Sequence, residues 1–242
     1  MTIFNTAQNI GEIVSILPAA GEVFKTYGID FCCGGNRPLA TAIKEQKLNE
    51  TQVLGALDKA YEEAKKVNGR ENVDFRELRP AELMDYIVAT HHVYMKKALP
   101  ELGELMLKIL SAHGNNHGEL FKVHKLFNNL RTELEQHLIK EEELLFPAVK
   151  AYEAKKSKEL LVKVIEVMNE TEDEHEAAGD ILKQLRKITN GYTVPDDGCT
   201  TFELAYGRFQ EMESDLFRHI HLENNILFKR YEMDVNEIRS IV

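Results

Sequence analysis

The sequence predicts an all-α protein: a small N-terminal helical domain followed by an up-down-up-down four-helix bundle. Three observations predict it. Apolar residues recur at helical spacing along nearly the whole chain. From Pro80 onward they form four long amphipathic segments, at 80–112, 119–150, 157–189 and 200–231. The breaks between them are short (HGNNHG at 113–118, a polar stretch at 151–157, NGYTVPDDG at 190–198), and short connections make neighbouring helices antiparallel.

The elements follow in order. Residues 7–17 and 19–27 read as short helices, the second stopped by Gly28. Residues 29–37 (IDFCCGGNR) form a glycine turn, with Asn36 and Pro38 placed to start another helix. A longer helix at 49–67 opens on an Asn49…Gln52 capping pair and stops at Asn68-Gly69. These elements make a small domain over 1–68, and the polar, aperiodic stretch 69–79 is a linker to the bundle at 80–242. Pro100 is expected to kink or restart the first bundle helix.

Composition excludes several classes. Of 242 residues, 43% are hydrophobic and 29% charged, the balance of a chain that buries a core. No apolar run approaches the roughly 20 residues of a membrane span. The first residues carry no basic group ahead of their apolar stretch, so no secretory signal is expected. A formal net charge of -10 repels nucleic-acid phosphates. Three cysteines cannot make a disulfide scaffold, which points to metal or redox use in the cytoplasm.

Two of the nine histidines have Glu four residues on, His137/Glu141 and His219/Glu223. That spacing puts both side chains on one helix face, where they can chelate one ion. About one such pair is expected by chance among charged helices, so context must decide. HLIKEEELLF (137–146) and HIHLENNILF (219–228) share one pattern and lie 82 residues apart, as do the acids one turn earlier, Glu133 and Asp215. His92 and His175 on the other two helices are 83 apart. In an antiparallel hairpin, residues equidistant from the turn share a level. The midpoints of 92/137, 137/175 and 175/219 all fall inside the three breaks, so the four histidines converge on one level of the bundle. A duplicated helical hairpin holding a dinuclear site explains the whole series.

Four imidazoles and two carboxylates supply six ligands for two ions, each receiving two nitrogens and two oxygens if both carboxylates bridge. Mixed nitrogen and oxygen ligation without thiolate suits iron, with manganese or zinc as alternatives. His91 and His92 each fit an apolar stripe, and periodicity does not separate them. His221, two positions after His219, is expected on the solvent side of its helix. Glu133, Glu174 and Asp215 are candidate acids that orient ligands or relay protons. Only Glu172…His175 matches the Glu-x-x-His motif that ferritin-type sites need twice. Cys32 and Cys33 precede a helix start, where the macrodipole is expected to favour thiolate, and Cys199 is assigned no role.

The turn Ile29-Asp30-Phe31-Cys32-Cys33-Gly34-Gly35, joined to a bundle carrying His137-x-x-x-Glu141-Glu142-x-x-Leu145-Phe146-Pro147, resembles the di-iron iron–sulfur cluster repair proteins (the RIC family, YtfE/ScdA-like). The likeness extends to Leu99-Pro100-Glu101-Leu102, Glu174-His175-Glu176-Ala177, Cys199-Thr200-Thr201 and His219-Ile220-x-Leu222-Glu223-Asn224-Asn225. The resemblance implies a hemerythrin-like bundle with two non-haem iron ions, oxo- or hydroxo-bridged, held by His92, His137, Glu141, His175, His219 and Glu223. It selects His92 over His91 through the distance to Leu99-Pro100. Oxygen-carrying hemerythrins differ, with a further His where this chain has Gly179 and a final Asp ligand where it has Glu223. Lys229, following Phe228, stands where the family pattern has proline.

The implied function is cytoplasmic repair of iron–sulfur clusters damaged by nitric oxide or oxidants, by iron delivery to the damaged proteins. Cys32 and Cys33 match the family's small domain as candidate thiols. Two alternatives stand beside it: a di-iron redox enzyme reducing nitric oxide or peroxide, and an oxygen or nitric oxide sensor. No nucleic acid or membrane is implied as partner, and a homodimer is compatible.

Overall fold

A computed structural model describes residues 3–67 and 74–240. The Asn68-Gly69 stop and the first part of the expected linker lie outside the described residues. The helices are α1 (Ile10–Ile16), α2 (Ala20–Thr26), α3 (Leu39–Glu45), α4 (Glu50–Val67), α5 (Pro80–Ile87), α6 (Val93–His113), α7 (Glu119–Lys140), α8 (Phe146–Lys155), α9 (Lys158–Ile188), α10 (Thr200–Leu222) and α11 (Phe228–Ser240). Three π-helical turns, Val88–His92, Glu141–Leu145 and Glu223–Leu227, join α5 to α6, α7 to α8 and α10 to α11 without breaking the run. The described residues contain no β-strand. No helix among them is long and apolar enough to cross a membrane.

Two compact units form: residues up to Leu83 together with those from Phe217 onward, and Met84–Leu216. In the first unit α1 packs on α2, α2 on α4, and α1 on the Glu223–Leu227 turn. Its core holds Phe4, Ile10, Ile13, Phe24, Phe31 and Leu39, with Phe217 packed against it. Gly28, at φ 68, ends α2. The Ile29 N–H donates to Phe24 O at 2.8 Å and the Gly28 N–H to Lys25 O at 3.1 Å, a Schellman closure that needs the left-handed residue. Asn49 caps α4 through its Oδ1, which accepts from the Gln52 N–H at 3.1 Å.

The second unit holds the antiparallel bundle, with α7 against both α6 and α9, and α8 against α9. Lys156 at φ 47 turns the chain, and Ser157 Oγ caps α9 by accepting from the Leu160 N–H at 3.3 Å. The first bundle helix does not restart at Pro100, which lies inside α6. Its one irregularity is the π turn ending at His92, so the helix deviates at the histidine rather than at the proline.

Phe209 of α10 stacks on Tyr192 with centroids 5.0 Å apart and meets Phe127 of α7 edge-on at 5.6 Å. Glu213, only 1% exposed, is paired by Arg186 Nε at 3.0 Å and accepts from Tyr192 Oη at 3.4 Å. A buried carboxylate is tolerated there because it is matched by a cation. Phe209→Ala should lower unfolding stability by ~3–5 kcal/mol, read from the denaturant midpoint at equal metal content. A loss below about 1 kcal/mol would show that the aromatic stack is not a main element of this core.

Candidate metal centre

Each π turn begins or ends at a residue of the predicted constellation: Val88–His92 ends at His92, Glu141–Leu145 starts at Glu141, and Glu223–Leu227 starts at Glu223. A π turn inserts one extra residue and re-aims the side chains beside it, which is why such turns gather at functional positions. His175 sits in the uninterrupted α9.

In the Met84–Leu216 unit, Glu141 has no exposed surface, and its two oxygens face two imidazoles. Oε2 lies 3.2 Å from His92 Nε2 and Oε1 lies 3.1 Å from His137 Nε2. His175 Nε2 stands 3.1 Å from His137 Nε2 and 4.0 Å from Glu141 Oε1. Ligand atoms of His137, Glu141 and His175 all fall within 4.8 Å of one another. Behind the imidazoles, His92 Nδ1 meets Glu142 Oε1 at 2.7 Å, and His137 Nδ1 meets Glu174 Oε2 at 2.8 Å. Lys96 holds Glu142 at 2.7 Å, and Lys140 holds Glu174 at 2.5 Å.

These outer carboxylates fix the tautomer. With the proton on Nδ1 donating to Glu142 or Glu174, each Nε2 presents a lone pair inward, toward Glu141. Lone pairs and a carboxylate converging in a buried space repel one another unless a cation lies among them. The donor set therefore fits a metal ion, and its chemistry, imidazole with carboxylate, fits iron. The Glu174 carboxyl is held below its ordinary range by the His137 hydrogen bond and Lys140, against burial. Burial pushes Glu142 up, but Lys96 and His92 outweigh it, and the net shift is down.

Of the acids singled out from sequence, Glu174 backs His137 as described. Asp215 instead meets His91, with Oδ1 3.0 Å from His91 Nδ1. His91 and His92, both buried, thus face different carboxylates. Glu133 is exposed and lines a 320 Å³ cavity with Asp173, Glu174, His137 and His175. Sequence reasoning missed Glu142: it is one of three consecutive glutamates, and only tertiary packing singles it out.

In the first unit His219 and Glu223, both fully buried, pair across one helical turn at 3.2 Å. His221 is not solvated as expected; it is 4% exposed. Its ring meets Phe31 at 6.1 Å, and its Nε2 lies 3.4 Å from Ser15 Oγ. Burial lowers its pKa to about 4. The helix face opposite His219 is covered by N-terminal residues around Ser15, Phe31 and Cys32, and the spacing Phe217, His221, Asn225 is the signal that shows it.

The Cys32 expectation is also corrected. The next helix, α3, begins only at Leu39, too far for its dipole to act. A hydrogen bond with Cys33, burial and the Asp30 carboxylate push the Cys32 thiol well above its ordinary value. The two sulfurs lie 3.9 Å apart as free thiols. Asp30 Oδ1 organises the turn, accepting from the Cys32 N–H, the Gly34 N–H and the Cys32 thiol at 3.1, 3.1 and 3.2 Å.

Comparisons with known proteins match two stretches of the chain. Residues 83–231 match the hemerythrin HHE cation binding domain, and residues 6–61 match the ScdA_N domain, described as of unknown function (DUF542). The chain is 33% identical to the iron–sulfur cluster repair protein YtfE of Escherichia coli O81, over 92% of this chain and 96% of that protein. The chain belongs to this iron–sulfur cluster repair family. A probable iron–sulfur cluster repair protein of Haemophilus influenzae is 32% identical over the same shares of the two chains. The iron–sulfur cluster repair protein ScdA of Staphylococcus haemolyticus is 29% identical, again over 92% of this chain and 96% of that one. The hemerythrin match spans every histidine and glutamate of the constellation, and the DUF542 match spans Cys32 and Cys33.

Cys199, without a role from sequence, is exposed at the start of α10 with Sγ 3.2 Å from His113 Nε2. That hydrogen bond and the backbone N–H of Phe202 lower its pKa to about 7. Peptide-resolved alkylation should therefore show Cys199 reacting with a midpoint near pH 7, while Cys32 stays unreactive until well into the alkaline range. His113→Ala should slow Cys199 alkylation at neutral pH by roughly tenfold, as its midpoint returns toward that of an ordinary thiol. An unchanged midpoint would show that His113 does not set it.

Proposed function

We propose that this protein repairs damaged iron–sulfur clusters by holding two iron ions in the bundle and supplying iron to the damaged protein. Family membership supports the reaction, and the convergence of imidazole and carboxylate on the buried Glu141 carries the metal reading. In this reading His92, His137, Glu141, His175, His219 and Glu223 would hold the two ions. The bound iron supplies Lewis acidity and one-electron redox capacity. The chain's own residues do the rest. Glu142 and Glu174 hold protons on the outer imidazole nitrogens, Lys96 and Lys140 balance those carboxylates, and burial keeps bulk water from competing for the ligands.

The organisation we infer is a small domain at 1–68, a linker at 69–79 and a bundle at 80–242; the separate family matches at 6–61 and 83–231 support it, while the compact units group Met1–Leu83 with Phe217–Val242. The Cys32 thiol donates to Asp30 Oδ1 at 3.2 Å, and this carboxylate holds the proton on the sulfur. The raised pKa sets the direction of pH dependence: repair through Cys32 should strengthen, not weaken, as pH rises above neutrality. Nitric oxide or oxidants as the source of damage, and the cytoplasm as the compartment, belong to the same reading. The free thiols suit a reducing compartment.

A second reading, reduction of nitric oxide or peroxide, is favoured by the 320 Å³ cavity that brings a small molecule to His137 and His175. The two separate on one preparation assayed for iron transfer to a cluster-depleted acceptor and for nitric oxide turnover.

Protein grown with ample iron should contain close to two irons per chain, falling by half or more in His137→Ala and His92→Ala but not in His91→Ala. Elemental analysis decides; one iron or none in the wild type overturns the dinuclear reading. The Cys32→Ser/Cys33→Ser double variant should keep its iron yet lose most of its repair rate. Full activity in that variant places the chemistry wholly in the bundle.

A further inference from the structure

The helix that carries His219 and Glu223 has a second face, set by Phe217, His221 and Asn225 at four-residue spacing. Each of these residues touches the small domain within the first compact unit. Phe217 and His221 meet the Phe31 ring edge-on at 6.0 and 6.1 Å. Asn225 reaches the cysteine turn itself: its Nδ2 donates to Cys32 O at 2.9 Å and to Phe31 O at 3.4 Å. The other end of the same amide fills the space beside two glycines. A Cβ on Gly35 would stand 2.4 Å from Asn225 Oδ1, and one on Gly11 would stand 2.3 Å from it. Gly11 and Gly35 are joined by a backbone hydrogen bond of 2.7 Å, from Gly11 N–H to Gly35 O. The second glycine of the Cys-Cys-Gly-Gly turn and the glycine of α1 thus form a slot without side chains, and one amide occupies it.

Asn225 stands two residues after Glu223 on the same π turn. Its amide is the side-chain partner of the Cys32 carbonyl, in a turn otherwise organised from inside by Asp30. We propose that Asn225 is the positioning residue of the thiol pair, fastening the Cys32–Cys33 turn to the helical segment that carries Glu223 so that the thiols stand ready for iron transfer. The inference rests on the repair reading for its purpose but not for its geometry. Asn225 makes and breaks no covalent bond. It acts through the turn, and shape as well as hydrogen bonding determines the fit: the slot accepts a planar amide and excludes a methyl group on either glycine.

Iron-loaded, full-length protein tests it. Asn225→Ala removes the amide, Asn225→Asp keeps its size but sets a carboxylate against the Cys32 and Phe31 carbonyls, and Gly11→Ala closes the slot from the opposite side. Peptide-resolved alkylation at fixed pH follows Cys32, with Cys199 as the internal standard. All three variants should retain wild-type iron and helical circular dichroism, leave Cys199 labelling unchanged and raise the Cys32 rate roughly tenfold, the scale of losing one buried hydrogen bond. Iron transfer to a cluster-depleted acceptor should fall by a comparable factor. Cys32 labelling within twofold of wild type in the two Asn225 variants overturns the proposal, and so does faster labelling with undiminished transfer. A wild-type protein that transfers no iron would sink the repair reading, while the labelling comparison would still decide whether Asn225 holds the turn.

Discussion

The fully buried Glu141 carboxylate is the constraint around which the bundle is arranged. Removing a carboxylate from water costs several kcal/mol even after relaxation, and nothing apolar can compensate it. The imidazole lone pairs aimed at Glu141 do not compensate it, and the compensation this donor set fits is a cation lying among them. Two imidazoles flank Glu141, each is held from behind by a glutamate, and each of those glutamates is paired with a lysine. The sequence Glu141–His92–Glu142–Lys96 has its counterpart in Glu141–His137–Glu174–Lys140. Such a relay defines which imidazole nitrogen carries the proton, and so prepares the inner nitrogens for a cation before one arrives. Only the inner members, His92, His137 and Glu141, are buried.

Much of this was legible in the chain. The helical periodicity, the three breaks and the turn glycines came from local rules, and local rules sufficed because caps and Schellman closures depend on neighbouring residues only. Gly28 and Asn49 act as read. The histidine series was legible for a different reason: antiparallel hairpins convert equal distances from a turn into equal heights. What escaped was tertiary. Glu142 is chemically identical to its neighbours Glu141 and Glu143, and only the approach of the first bundle helix distinguishes it. His221 was read as solvated because one side of its helix was counted as surface, whereas Phe31 and Ser15 cover it. Cys32 failed as a thiolate candidate because adjacency to a helix in sequence was taken for adjacency to its dipole.

The same helix illustrates how one element serves two chemistries. Period 3.6 gives it separate stripes: His219 and Glu223 on one, Phe217, His221 and Asn225 on another. The first stripe offers nitrogen and oxygen donors, and the second meets aromatic and glycine surface next to sulfur.

The π turns give the duplication in this chain an unusual kind of phase. Those at Glu141–Leu145 and Glu223–Leu227 lie 82 residues apart, the same offset that separates His137 from His219. Each turn carries one residue more than an α-helix would need, and an extra residue rotates everything after it by about 100°. Phe146 and Phe228 therefore face their cores only because that surplus residue is present in both copies. Substitutions within these turns change a side chain, but removing a single residue would turn the whole downstream helix away from its packing partners, as a frameshift alters every codon that follows it. The third bundle helix, straight through His175, carries no such surplus, so the two hairpins are repeats in sequence but differ in winding.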